Sequence, residues 1–104
     1  MKFNLTDIKM AKSRNGLSMS AKFWINDIHV ADFEDKGDGG QPNLYINCDP
    51  VSLKLAAEFD AAIESLPELY IKEYDMNMKI DQYFFIDMLH AALVNKTEFN
   101  LLAA

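Results

Sequence analysis

The clearest pattern in the chain is the alternation of apolar and polar residues over positions 17–25. An apolar residue stands at every second position of this stretch, with Ser18, Ser20, Lys22 and Trp24 between them. Alternation with a period of two is typical of an antiparallel strand that buries one face. The pattern therefore predicts a strand whose buried side chains are Leu17, Met19, Ala21, Phe23 and Ile25.

Asn26 and Asp27 follow this strand where a two-residue hairpin turn fits. Such a turn would pair Ile25 with Ile28, and the next pair outward would join Trp24 to His29. The sequence thus predicts an indole–imidazole pair on the solvent face of the sheet, either as an ordinary cross-strand pair or as a functional contact.

Two more strands are predicted, over residues 2–10 and 28–34. The apolar parity changes near Thr6–Asp7 in the first and between Val30 and Phe33 in the second. A strand with one buried face keeps its parity, so each change predicts a β-bulge or bend. Residues 11–16 are predicted to be a turn, because Asn15-Gly16 is a strong hairpin signal.

A fourth strand is predicted over residues 43–48. Its pattern turns Leu44, Ile46 and Cys48 inward and leaves Tyr45 exposed.

The second half of the chain has helical periodicity. Asp49-Pro50 is a helix start, since Asp supplies a cap oxygen and proline suits the first helical position. The helix, over residues 50–65, would end at Pro67 and bury one stripe: Val51, Leu55, Phe59, Ala62, Ile63 and Leu66.

A second helix is predicted over residues 79–95, with Asp81 at or near its cap. Residues 68–78 are interpreted as an irregular connection, although the alternation of Leu69 and Ile71 also allows a short strand. Residues 97–104 form a tail that either docks on the core or makes a dimer contact. The predicted fold is a single α+β domain, a four-stranded antiparallel β-meander followed by two α-helices packed on one face.

Charge changes sign along the chain. Residues 1–26 carry a net charge of +4 and residues 27–104 a net charge of −10, which gives −6 in total. An acidic body disfavours nucleic acid as a direct partner and favours a basic protein surface. The alternative is that the acidity only confers solubility.

Composition also bears on location. Cys48 is the single cysteine, which excludes an internal disulfide and fits a reducing compartment. No signal peptide and no membrane span are predicted, so we expect a cytoplasmic protein.

The sequence contains no specific catalytic or cofactor motif. The acidic loop over residues 32–39 lacks the spacing of an EF-hand, and no P-loop lysine follows its glycines. The two histidines are His29 and His90, and His90 is predicted to lie at the edge of the core. We therefore predict a protein that is not an enzyme, with no cofactor and no bound metal.

The order of these signals resembles a group of small phage and mobile-element proteins of unknown function. The shared features are the Arg14-Asn15-Gly16 turn, the alternating strand, the second turn, the acidic loop over residues 35–40, and a late Phe85-Ile86-Asp87 helix. Where Asp27 stands, a glycine is common in that group. The resemblance implies the same fold and a mobile-element origin, and it implies no catalytic residues. Small acidic phage proteins include inhibitors of host machinery such as anti-CRISPR proteins.

These observations predict a binding module that inhibits a host defence protein or nucleoprotein complex by covering a basic surface. Its predicted contacts are acidic residues and exposed aromatic or imidazole side chains: Trp24, His29, Asp32, Glu34, Asp35, Asp38, Tyr45, Glu58 and Glu64. The alternatives are a self-assembling homodimer and, third, a protein that sequesters a small molecule.

Overall fold

The computed structural model describes residues 1–13, 16–37 and 41–96. Its main sheet has four antiparallel strands in the order β1-β2-β3-β4. The strands are β1 Phe3–Ser13, β2 Gly16–Ile25, β3 Ile28–Asp35 and β4 Asn43–Ile46. Two helices follow, α1 Pro50–Glu64 and α2 Gln82–Asn95. The predicted α+β fold is therefore confirmed.

The turn between β2 and β3 is the one that the sequence predicts. Asn26 and Asp27 both have left-handed backbone angles, with φ of 52° and 66°. Ile25 pairs with Ile28 and Trp24 with His29, as expected from a two-residue turn. The Asn26 side chain also accepts a hydrogen bond of 2.9 Å from the main-chain nitrogen of Lys2, which ties the turn to the start of the chain.

The first hairpin departs from the prediction. Residues 11–13 belong to β1, with Ser13 paired to Gly16, so the predicted turn over residues 11–16 was too long. Cross-strand pairing extends as far as Ser13 and Gly16. Arg14 and Asn15 lie outside the described residues.

Both predicted bulges are present. In β1 the register shifts between Thr6 and Lys9, and Asp7 there has a positive φ of 50°. In β3 the shift leaves Val30 as the extra residue, because Phe23 pairs with Ala31 while Trp24 pairs with His29. Val30 and Ala31 are consecutive and both buried, which explains the change of parity.

Helix α1 begins at the predicted cap. Asp49 Oδ2 accepts a hydrogen bond of 2.9 Å from the main-chain nitrogen of Ser52. This bond is the main reason that the pKa of Asp49 is lowered from its usual value of 3.8. Helix α2 is capped in the same way, with Asp81 Oδ1 accepting from the nitrogen of Phe84 at 2.8 Å.

The segment between the helices is more regular than predicted. Strands β5 Leu69–Ile71 and β6 Met76–Met78 form a small antiparallel sheet, joined through a 3-10 turn over Lys72–Tyr74. The interpretation of residues 68–78 as irregular was therefore wrong. Asp75 has a φ of 47° and lets the chain reverse without a glycine.

Four phenylalanine rings join the sheet to the helices. Phe3 of β1 and Phe23 of β2 contact Phe59 of α1, with ring centroids 5.6 and 5.2 Å apart. Phe85 of α2 lies 4.9 Å from Phe3 and 5.1 Å from Phe59. Both helices thus pack on the face of the sheet that presents Phe23.

Three residues predicted to face inward are exposed: Leu17, Cys48 and Val51. Leu17 lies beyond the buried part of β2, which begins at Met19. Strand β4 ends at Ile46, so the parity of a strand no longer applies at Cys48. In α1 the buried residues are Ser52, Phe59 and Ile63, a face from which Val51 is rotated by about 100°.

Candidate functional site

The sheet has a second face, opposite the helices. On β2, buried side chains point to the helices, and the side chains between them point away. Residues paired across antiparallel strands share a face, so the partners of these β2 residues lie there too. We call this surface the outer face, and it comprises Ser20, Lys22, Trp24, His29, Asp32, Glu34 and Tyr45.

Trp24 and His29 form the centre of the outer face. Their rings are 5.4 Å apart between centroids and inclined by 32°. The indole Nε1 of Trp24 donates a hydrogen bond of 2.7 Å to Thr6 Oγ1 on β1. The indole is therefore held on both sides, by an imidazole on β3 and by a hydroxyl on β1.

His29 is fixed by its neighbours as well. Its Nε2 lies 2.8 Å from Oδ1 of Asp32. Its main-chain oxygen accepts a hydrogen bond of 2.8 Å from Asn47 Nδ2 and one of 3.3 Å from Ser52 Oγ. The main-chain nitrogen of Asn47 donates to the oxygen of Val30 at 2.8 Å. These bonds satisfy carbonyl groups at the β3 bulge.

A lysine–aspartate ion pair lies beside this group. Lys22 Nζ is 3.0 Å from Oδ2 of Asp7, and Lys22 is also the cross-strand neighbour of Asp32. Asp7 is the left-handed residue of the β1 bulge. The bulge therefore sets the position of an acidic group on this part of the sheet.

Sequence reasoning missed four residues of this site: Thr6, Asp7, Asn47 and Ser52. The parity change at Thr6–Asp7 was a usable signal, because it predicted the bulge that brings Asp7 toward Lys22. Asn47 and Ser52 gave no signal, since their bonds depend on how α1 sits against β3.

Five of the predicted contact residues are brought together on the outer face: Trp24, His29, Asp32, Glu34 and Tyr45. Asp32 and Tyr45 are direct cross-strand partners, and Glu34 pairs with Asn43 on the same two strands. Asp32, Glu34 and Tyr45, but neither Trp24 nor His29, border an open depression of about 470 Å³, together with Asp7, Lys9 and Lys22.

Asp35 does not belong to this surface. It pairs with Met19, whose side chain faces the helices. One of its carboxylate oxygens accepts a hydrogen bond of 3.0 Å from the nitrogen of Gly37. Asp38 lies outside the described residues.

Partial burial raises the pKa of Asp87 on α2 above its usual value of 3.8. The carboxylates of Asp35 and Asp81 add to this rise, and His90 opposes it.

The predicted acidic contacts on α1 lie on the helical side of the sheet. Glu58 and Glu64 are both exposed, and Glu64 Oε2 is 3.7 Å from Lys79 Nζ. The sheet and the phenylalanine cluster separate them from Trp24 and Tyr45. The structure thus divides the predicted contact residues between two opposite surfaces.

Within residues 1–13, 16–37 and 41–96, no group of three or more His, Cys, Asp and Glu residues is placed to hold a metal ion. In the same ranges, neither helix has the length and apolar character needed to cross a membrane.

Comparison of the chain with protein-family models, with curated proteins and with solved structures found no match. The resemblance to mobile-element proteins therefore stays a prediction, and the outer face is the part of the structure from which a function can be proposed.

Proposed function

We propose that the protein is a non-enzymatic binding module whose outer face contacts a basic surface of a partner protein. The observation that carries this proposal is the position of two aromatic side chains beside two carboxylates on a sheet face opposite both helices. Trp24 and Tyr45 are of the residue types that dominate interface energies. Asp32 and Glu34 supply charge complementary to Lys and Arg.

The order of the Trp24 group supports this role. Trp24 is held by Thr6 and His29, and His29 is held by Asp32, Asn47 and Ser52. Side chains that are already fixed lose little conformational entropy on binding, so a larger part of the contact energy contributes to affinity.

The proposed partner is a host protein or a nucleoprotein complex of a defence system, a choice that follows from the expected mobile-element origin. Such complexes carry basic grooves for nucleic acid, and an acidic module that covers one would inhibit by occlusion. The contact surface proposed here is smaller than the one predicted from sequence, because Asp35, Glu58 and Glu64 face the other side of the sheet.

Two double charge reversals test the proposal. Asp32→Lys with Glu34→Lys changes the outer face, and Glu58→Lys with Glu64→Lys changes net charge equally on the helical side. Wild type and both variants are immobilised, exposed to nuclease-treated bacterial extract, and the retained proteins are identified by mass spectrometry. We expect a basic protein that wild type and the helix variant retain and the outer-face variant loses.

The opposite pattern overturns the proposal. If the outer-face variant retains the same proteins as wild type, this face is not the contact surface. If both variants lose them equally, net charge rather than the outer face governs retention.

A further inference from the structure

The depression beside Tyr45 contains both an aromatic ring and carboxylates. Its border joins an exposed phenol ring on β4 to the carboxylates of Asp32 and Glu34 on β3. Tyr45 is 54% exposed and is the direct cross-strand partner of Asp32. An aromatic face and carboxylates within one open depression form a site that a planar cation can use in two ways.

The carboxylates of Asp32 and Glu34 have oxygen atoms that can accept hydrogen bonds from a partner. Asp32 Oδ1 lies beside His29 Nε2, and the side chain of Glu34 makes no ion pair or hydrogen bond with the residues that the structure describes. Of the two lysines on the border, Lys22 is paired with Asp7 at 3.0 Å, so Asp7 already offsets its charge. The three acids outnumber the two lysines around the depression.

Arginine and lysine differ at such a site. A guanidinium group is planar, stacks on aromatic rings and presents paired N–H donors to carboxylates. A lysine ammonium is a strongly hydrated point charge that gains less from a ring at an exposed position.

We propose that this depression binds an arginine side chain of the partner, stacked on Tyr45 and paired with Asp32 and Glu34. The proposal rests on the proposed function and adds the identity of the basic residue that the outer face selects. It commits the outer face to an arginine-bearing partner surface, because the carboxylates and the exposed phenol ring together favour the guanidinium.

The test uses two peptides of equal charge, hexa-arginine and hexa-lysine, added to the ¹⁵N-labelled full chain at physiological salt. Amide chemical shifts give both the affinity and the location of binding. We expect shifts centred on residues 31–34 and 44–46, and at least about threefold tighter binding of hexa-arginine, the factor given by a cation–π contact at an exposed site. Tyr45→Phe should keep this preference, and Tyr45→Leu should remove it.

Equal affinity for both peptides at the outer face overturns the arginine inference and leaves the proposed function standing. Shifts confined to the acidic residues of α1 overturn both. Binding of inorganic phosphate at Lys9 and Lys22, with no shift from hexa-arginine, would assign the depression to an anion and overturn the arginine inference. Tyr45 lies on an exposed position of an edge strand, and the dispersion of the amide spectrum verifies that each variant is folded.

Discussion

Asn47 Nδ2 donates a hydrogen bond of 2.8 Å to the main-chain oxygen of His29. This bond links the segment before α1 to the bulge of β3, on the strand that carries the imidazole beside Trp24. Ser52, the one buried polar residue among those described, adds a second bond of 3.3 Å to the same oxygen. The helical layer and the outer face are therefore joined through one carbonyl group.

Removal of the two hydrogen bonds to the His29 oxygen should affect stability non-additively. Asn47→Ala and Ser52→Ala should each lower the free energy of unfolding by about 1 kcal/mol, because each leaves the other bond in place. The double variant should lose more than the sum, since the carbonyl then has neither partner. Urea denaturation measures all three. The control is Ser65→Ala, which removes an exposed hydroxyl bonded to Ala62 and should change stability by less than about 0.5 kcal/mol. Additive losses would contradict the shared-carbonyl interpretation.

Glycine substitutions at the two residues of the β2–β3 turn should have opposite effects on stability. Asp27→Gly should raise the free energy of unfolding by about 0.5 kcal/mol, because glycine adopts a left-handed backbone more easily. Its ion pair with Lys2, at 3.6 Å and exposed, contributes little. Asn26→Gly should lower stability, since it removes the bond from the nitrogen of Lys2. Chemical denaturation distinguishes the two, and a stabilising Asn26→Gly would refute the role of that bond.

Two substitutions in α1, one buried and one exposed, should differ strongly in their effect on stability. Phe59→Ala should lower the free energy of unfolding by about 3–5 kcal/mol, because Phe59 is buried against three other phenylalanine rings. Val51→Ala on the same helix should cost less than about 0.5 kcal/mol, since Val51 is exposed. Similar losses in thermal denaturation would mean that α1 is rotated from the orientation described.

Replacement of Asp87 should affect the stability of the fold in a pH-dependent way. Its pKa is raised in the folded chain by partial burial and by Asp35 and Asp81, so ionisation of Asp87 opposes folding. The favourable contribution of the protonated group is full below the unfolded value, 3.8, and is lost as the pH rises through the raised folded value. Asp87→Asn should therefore raise Tm at pH 7 by no more than about 4 °C and have little effect near pH 3.

Thermal melts at both pH values provide the measurement, with Glu68→Gln on the exposed segment before β5 as a control. A lower Tm for Asp87→Asn at pH 7 would contradict the assigned direction.

The sequence predicted the sheet well because its signals are local. Alternation over residues 17–25 and the Asn26-Asp27 turn determine the Trp24–His29 pair without reference to the rest of the chain. The changes of parity in β1 and β3 likewise located both bulges.

The errors arose where tertiary packing decides. Cys48 is exposed because the chain leaves the sheet at Asn47, whose bonds to His29 and Val30 replace strand pairing. The strands β5 and β6 have three residues each, too short for alternation to distinguish them from a loop. The division of the acidic residues between two faces was also missed, because an acidic loop was predicted from residue 32 onward, whereas β3 extends to Asp35 and its side chains alternate between the faces.

Two tyrosines of nearly equal exposure test the claim that the outer face is the contact surface. Tyr45 on the outer face is 54% exposed, and Tyr70 on the β5–β6 sheet is 55% exposed. The affinity of the partner retained by wild type is measured by isothermal titration calorimetry with Tyr45→Ala and with Tyr70→Ala. We predict at least about thirtyfold weaker binding for Tyr45→Ala, as expected for an interface hot spot, and less than about twofold for Tyr70→Ala. Unchanged binding by Tyr45→Ala together with a large loss for Tyr70→Ala would contradict the claim and move the contact surface to the β5–β6 sheet.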